Sequence, residues 1–222
     1  MKIKVCGMRD AENISELVKL KPDFIGFIFY NKSKRFVENF PEVDFPEGIK
    51  KVGVFVNETI ENILEIVYKY QLDLVQLHGN ESSEFCEKLI NMFTQRRLSE
   101  KTRHSELVSE SHKLEIIKAF SVDEHFNFES TVAFEKSCDY FLFDTKGTNY
   151  GGNGVKFNWD VLQKYKGKTP FLLSGGISKD DVDKIQKIRH SAFLGVDINS
   201  GFEIGAALKN IDEIKEFKYN LL

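Results

Sequence analysis

A single α/β domain of the (β/α)8 barrel type, a TIM barrel, is predicted by three observations. Eight apolar, β-rich runs recur along the chain, at 3–6, 24–30, 51–56, 72–77, 114–120, 140–143, 170–173 and 192–198. Helical patterns separate most of them. Every run ends in a polar or small residue, as the active end of such a barrel requires. The runs are mostly continuous rather than strictly alternating, which suits strands covered by helices. A doubly wound sheet would need a switch point and commonly fewer strands.

In order along the chain, the first run ends at Cys6-Gly7. Asp10 then reads as an N-cap, with Ile14, Leu17, Val18 and Leu20 at helical spacing. The second run leads into Tyr30 through Arg35, and the helix after it is weakly marked. The third ends at Asn57. Asn57 or Thr59 starts a helix whose apolar face is Ile60, Ile63, Leu64, Val67 and Tyr68. The fourth ends at His78-Gly79, and Ser82 or Ser83 opens a helix carrying Phe85, Leu89, Ile90 and Phe93. The polar, glycine-free stretch 94–113 follows. It reads as a solvated or disordered insertion on the face away from the active end, in preference to a basic docking loop through Arg96, Arg97, Lys101 and Arg103. The fifth run ends at Ser121, with a poorly marked helix after it. The sixth ends at Asp144-Thr145. YGGNG at 150–154 reads as a flexible loop near the mouth, with a helix over 157–165 beyond it. The seventh run ends at Ser174-Gly175-Gly176 before a helix over 178–188. The eighth ends at Asp197 through Gly201, and a helix over 211–219 closes the chain.

The totals exclude several classes. The 222 residues, 41% of them hydrophobic, close one core without staples. A net charge of −3 offers no basic excess for nucleic acid. Cys6, Cys86 and Cys138 are far apart and odd in number, which argues against a disulfide scaffold or a zinc knuckle and fits a reducing cytosol. No signal-like start and no membrane-length apolar run is read, so a cytoplasmic location and no membrane partner are expected. Monomer and homodimer both suit this surface.

The chemistry is expected at the carboxyl ends of the strands. LSGGISKDD (173–181) and GVDINSGFE (195–203) place small residues, Gly175, Gly176, Ser200 and Gly201, where backbone N–H groups can approach an anion. Loops after strands seven and eight frequently build phosphate sites, so a phosphorylated small molecule is the expected ligand. Asp144, ending the apolar FLFDT, is a candidate general acid. Cys6 is a candidate base that needs help from the local field, since a free thiol titrates near ~8.5. Cys86 and Cys138 read as buried filler. Arg35 can fork a substrate carboxylate. His78 reads as a packing residue bonded to loop backbone ahead of a catalytic acid. Asp197 reads as orienting phosphate-loop amides ahead of touching a substrate hydroxyl. No metal-ligand spacing and no Ser–His–Asp set is found.

The segments KVCGMRD, GFIFYNKSKRFV, VGVFVNE, VQLHGNE, LFDTKGTNYGGNGVKFNW, LLSGGI and GVDINSGFE together resemble the phosphoribosylanthranilate isomerase family of tryptophan biosynthesis. The match runs in order from residue 2 to about 203, broken only by the polar insertion. The resemblance implies a small (β/α)8 barrel. It also implies an Amadori rearrangement of N-(5-phospho-β-D-ribosyl)anthranilate to 1-(2-carboxyphenylamino)-1-deoxy-D-ribulose 5-phosphate, without cofactor or metal. Carried over by motif, Cys6 would be the base at C2 of the ribose and Asp144 the acid at the ring oxygen. Arg35 would hold the anthranilate carboxylate, and amides near Gly176, Ser200 and Gly201 the phosphate. Two departures from the family pattern are the insertion and IGAALKN at 204–210, where the family usually turns on proline-glycine before its last helix.

Overall fold

The computed structural model describes residues 1–103, 113–145 and 157–222, with the side chains of 100–103 left out. Eight parallel strands close in the order of the chain: β1 (Lys2–Cys6), β2 (Phe24–Ile28), β3 (Lys50–Phe55), β4 (Leu74–Leu77), β5 (Glu115–Val122), β6 (Tyr140–Thr145), β7 (Phe171–Leu173) and β8 (Phe193–Ile198). Closure is made by β1 against β8, with Lys4 opposite Asp197. All eight expected runs are strands.

The strands alternate between an outer apolar layer and the barrel interior. Ile3, Val5, Ile25, Phe27, Val75, Leu77, Phe141, Phe143, Phe171 and Leu173 face outward into a core shared with the helices. Phe24, Val52, Leu74, Ile117, Ala119, Leu142 and Leu172 face inward and fill the barrel. Toward the carboxyl ends the same inward face turns polar, one period on: Gln76 after Leu74, Asp144 after Leu142, Ser174 after Leu172.

Three aspartates staple the opposite rim. Asp23 Oδ2 accepts from Ile3 N–H at 2.8 Å, Asp73 Oδ2 from Lys51 N–H at 2.7 Å, and Asp139 Oδ2 from Ile116 N–H at 2.9 Å. Each stands immediately before an even-numbered strand and ties it to the odd-numbered strand before it.

The connections depart from expectation in several places. Helices α1 (Ala11–Lys19) and α2 (Ile60–Tyr70) stand as read, capped by Asp10 and Thr59. After β2 no helix forms among residues 29–49. Pro41 and Pro46 break the stretch, and Phe40 instead stacks on Tyr70 at 4.4 Å and packs on Phe27 at 4.7 Å. After β5 and β6 the chain makes 3₁₀ turns, Phe128–Phe134 and Trp159–Lys164. After β7 the expected helix shrinks to a 3₁₀ turn, Lys179–Asp181, and α4 (Val182–Ile185), because Lys187 and Ile188 close i→i+3 bonds and turn into β8.

The stretch read as a polar insertion is helical as far as Arg103: α3 runs Ser83–Arg103. Its residues favour helix, and the Arg96 guanidinium lies 4.3 Å from the Tyr68 ring centroid. Residues 104–112 and the loop at 150–154 lie outside the described residues. After β8, β9 (Glu203–Gly205) and β10 (Leu208–Lys209) pair as a short hairpin. Asn210 then caps α5 (Ile211–Leu221), so the altered stretch still delivers a defined final helix. No helix among the described residues is long and apolar enough to cross a membrane.

Candidate active site

A cavity opens at the carboxyl ends of the strands. Cys6, Arg35, His78, Asp144, Gly175, Gly176, Asp197, Ser200 and Gly201 all line it. The sequence therefore found nine residues that the barrel brings to one place. Cys86 and Cys138 are buried in the outer core, as expected of filler.

Cys6 ends β1 with its side chain inward, and the turn after it needs the glycine. Gly7 has φ +75, and a Cβ there would lie 2.6 Å from Arg35 Cδ and 2.8 Å from Asn199 Oδ1. Burial pushes the Cys6 thiol up from its ordinary value, while Lys4 pulls it down. Lys4 is fully buried on the same inward face, with Nζ 2.9 Å from Asp197 Oδ1. Burial opposes the Lys4 charge, but Asp197 and Cys6 outweigh it and hold the ammonium above its ordinary range. Burial pushes the Asp197 carboxyl up against the pull of Lys4. Asp197 meets Lys4 and, at 3.4 Å, the Ser174 hydroxyl, which corrects the expectation that it orients loop amides.

Asp144 is 6% exposed, and its Oδ1 accepts from Thr145 N–H at 2.9 Å. Its Oδ2 lies 3.3 Å from His78 Nε2. Gln76 Nε2 sits 2.7 Å from His78 Nδ1. His78 thus joins two side chains at the cavity wall, rather than loop backbone as expected. Its loop is pinned from behind: buried Lys118 donates to Leu77 and Gly79 carbonyls at 3.2 and 2.8 Å and pairs with Glu81 at 3.2 Å.

Arg35 makes a fork with Glu203, Nε to Oε1 at 2.8 Å and a terminal nitrogen to Oε2 at 2.7 Å. That bond raises the guanidinium further above its ordinary value. Glu203 also takes Lys209 Nζ at 2.6 Å, and Lys209 donates to Asn199 Oδ1 at 2.8 Å. Burial works against the Glu203 carboxylate, but Arg35 and Lys209 outweigh it and hold it below the usual range. The remaining Arg35 side-chain N–H groups meet no acceptor among the described residues. Gly175 and Gly176 have φ +96 and +66, and a Cβ on Gly201 would lie 2.0 Å from Ile177 O, so the seventh and eighth loops interlock through bare backbone.

Sequence reasoning missed Lys4, Gln76, Glu203 and Lys209. For Lys4 and Gln76 a signal existed: each sits two residues before a named site residue and so shares its inward face.

A closed parallel barrel with a thiol, a carboxyl group and glycine-lined loops collected at the carboxyl ends of its strands is the build of a (β/α)8-barrel enzyme. The chain belongs to the N-(5'-phosphoribosyl)anthranilate isomerase family, whose family model matches residues 3–111 and 99–220. The two matched stretches overlap inside the polar segment that stands apart from the family pattern. The chain is 47% identical over 227 residues to the N-(5'-phosphoribosyl)anthranilate isomerase of Parabacteroides distasonis, covering 100% of this chain and 94% of that protein. The crystal structure of phosphoribosyl anthranilate isomerase from Thermotoga maritima is similar with a TM-score of 0.75 at 30% identity, over 100% of this chain and 98% of that one. A phosphoribosyl anthranilate isomerase crystallised with reduced 1-(o-carboxyphenylamino)-1-deoxyribulose 5-phosphate gives a TM-score of 0.72 at 28% identity, with the same coverage. This chain is an isomerase by family.

Proposed function

We propose that the protein isomerises N-(5'-phosphoribosyl)anthranilate to 1-(2-carboxyphenylamino)-1-deoxy-D-ribulose 5-phosphate in tryptophan biosynthesis, with Asp144 as general acid and Cys6 as general base. Asp144 gives its proton to the ring oxygen. The C1–O bond breaks, and the nitrogen lone pair forms the C1=N iminium. The Cys6 thiolate takes the C2 proton, and the electron pair moves into a C1=C2 bond, neutralising the nitrogen. The enol at C2 then passes its hydroxyl proton out and C1 gains one, leaving the ketone, with no net gain or loss of protons.

Two anchors hold the substrate for these steps. Backbone N–H groups of the Gly175-Gly176 and Ser200-Gly201 loops suit the phosphate. The free N–H groups of Arg35 suit the anthranilate carboxylate, and the Glu203 fork fixes the guanidinium plane in advance. Anchoring both ends of the substrate spares the reacting carbon much of the orientation entropy. His78, with Nε2 3.3 Å from Asp144 Oδ2, steadies Asp144 once its proton has left.

What carries this reading is that thiol, carboxyl group, arginine and both glycine-lined loops border one cavity in a chain of this family. The test is turnover of that substrate by the purified protein, together with rescue of a tryptophan auxotroph lacking this step. Absence of both with a folded protein overturns the assignment.

A further inference from the structure

We propose that Lys4 is the counter-ion of the Cys6 thiolate: an ammonium walled into the barrel beside the sulfur, with Gly26 leaving open the space in which the two meet. This deepens the reading of Cys6 as base and rests on it.

A buried ammonium must be compensated. The barrel holds a second such lysine for comparison. Lys118 spends its three N–H groups on the carbonyls of Leu77, Gly79 and Ala119 and on Glu81, all at 2.8–3.2 Å. Among the described residues Lys4 Nζ meets one oxygen at hydrogen-bond distance, Asp197 Oδ1 at 2.9 Å, and the Cys6 sulfur is the next group its charge acts on. Residues 4 and 6 share the inward face of β1, which stacks the ammonium under the sulfur.

Opposite Cys6 in the β1–β2 ladder stands Gly26. A Cβ on Gly26 would lie 2.8 Å from Cys6 Sγ and 3.2 Å from Lys4 Nζ. Any side chain there would be driven between the two groups. A strand interior otherwise has little use for glycine.

Other charges face the sulfur as well. Asp197 from β8 opposes a thiolate, while Lys209 from β10 and Arg35 from the loop after β2 favour it. Lys209 and Arg35 are both committed to Glu203, and Asp144 and His78 act on Asp197 from across the cavity. Lys4 is the favourable charge on the sulfur's own strand and face.

The experiment is a thiolate titration of the ligand-free protein by ultraviolet absorbance near 240 nm, taken as the difference from Cys6→Ala so that Cys6 alone is read. In Lys4→Met the Cys6 midpoint should rise by about one to three pH units. In Asp197→Asn, which removes the opposing charge and frees the ammonium for the sulfur, it should fall. Because a bared Asp197 would also raise the sulfur, Lys4→Met is repeated in the Asp197→Asn background: a lysine serving only to neutralise Asp197 would leave the midpoint of that double variant equal to that of Asp197→Asn alone, and that equality overturns the proposal. An unmoved or lowered midpoint in folded Lys4→Met overturns the proposal. Should that variant not fold, an unmoved or raised midpoint in Asp197→Asn overturns it instead. The titration needs no turnover, so it is separate from the base assignment, which fails if Cys6→Ala remains fully active.

Discussion

The two ends of the barrel use carboxylates in opposite ways. At the base, Asp23, Asp73 and Asp139 repeat one device: side-chain oxygen to a backbone N–H of the preceding strand, own N–H to that strand's carbonyl at 2.9–3.0 Å. At the mouth, Asp144, Asp197 and Glu203 each have a different set of partners, and every set includes other ionisable or polar side chains. A feature repeated before three of the four even-numbered strands serves assembly, because assembly is what the repeats have in common. A feature found once serves whatever happens at that spot. The difference separates folding from chemistry within one molecule.

The comparison is broken most directly at Cys6 and Asp144. Cys6→Ala and Asp144→Asn should each lower kcat by about 10²–10⁴-fold in steady-state assays while leaving the melting transition in place. Loss of fold in both would mean that the mouth also serves assembly. Next in size, Glu203→Gln should release the Arg35 fork and raise KM more than it lowers kcat, by roughly tenfold, the signature of a lost anchor. The same variant tests a pH dependence. Glu203 sits below its ordinary value of 4.5 in the folded protein, so its stabilisation is full above that pH and drains away as pH falls through the lower folded value. Glu203→Gln should therefore flatten the acid edge of a stability-against-pH curve.

Asp73→Ala should do the reverse of the mouth variants: about 1–3 kcal/mol lost in urea unfolding, with kcat/KM unchanged. A matching fall in turnover would erase the distinction between the ends. Smallest of all, Arg96→Ala should cost no more than about 1 kcal/mol and leave kinetics untouched, since the Arg96 guanidinium stacks on Tyr68 and lines no part of the cavity.

The eight strands were legible because parallel strands buried on both faces read as unbroken apolar runs. The connections after β2, β5 and β6 were not, because they are held by aromatic packing from distant residues, as Phe40 is by Tyr70 and Phe27. The distal half of α3 was misread as loop because polar residues carry no apolar period, even where they propagate a helix. Within the site, the residues at strand ends were visible by position. Lys4 and Gln76 were hidden one period deeper, where only the closed barrel reveals that a charged or amide side chain faces inward. Glu203 and Lys209 were hidden by distance along the chain: Arg35 and Glu203 are 168 residues apart and meet only when β8 closes on β1.

The inward layer of Phe24, Val52, Leu74, Ile117, Leu142 and Leu172 plugs the barrel one period beneath the polar mouth. Traffic is therefore one-way in and the same way out. A product molecule still seated blocks the next arrival, and dwell time after the chemistry becomes part of the turnover clock. Such a vessel slows itself as its output accumulates, by occupancy alone and with no separate control site.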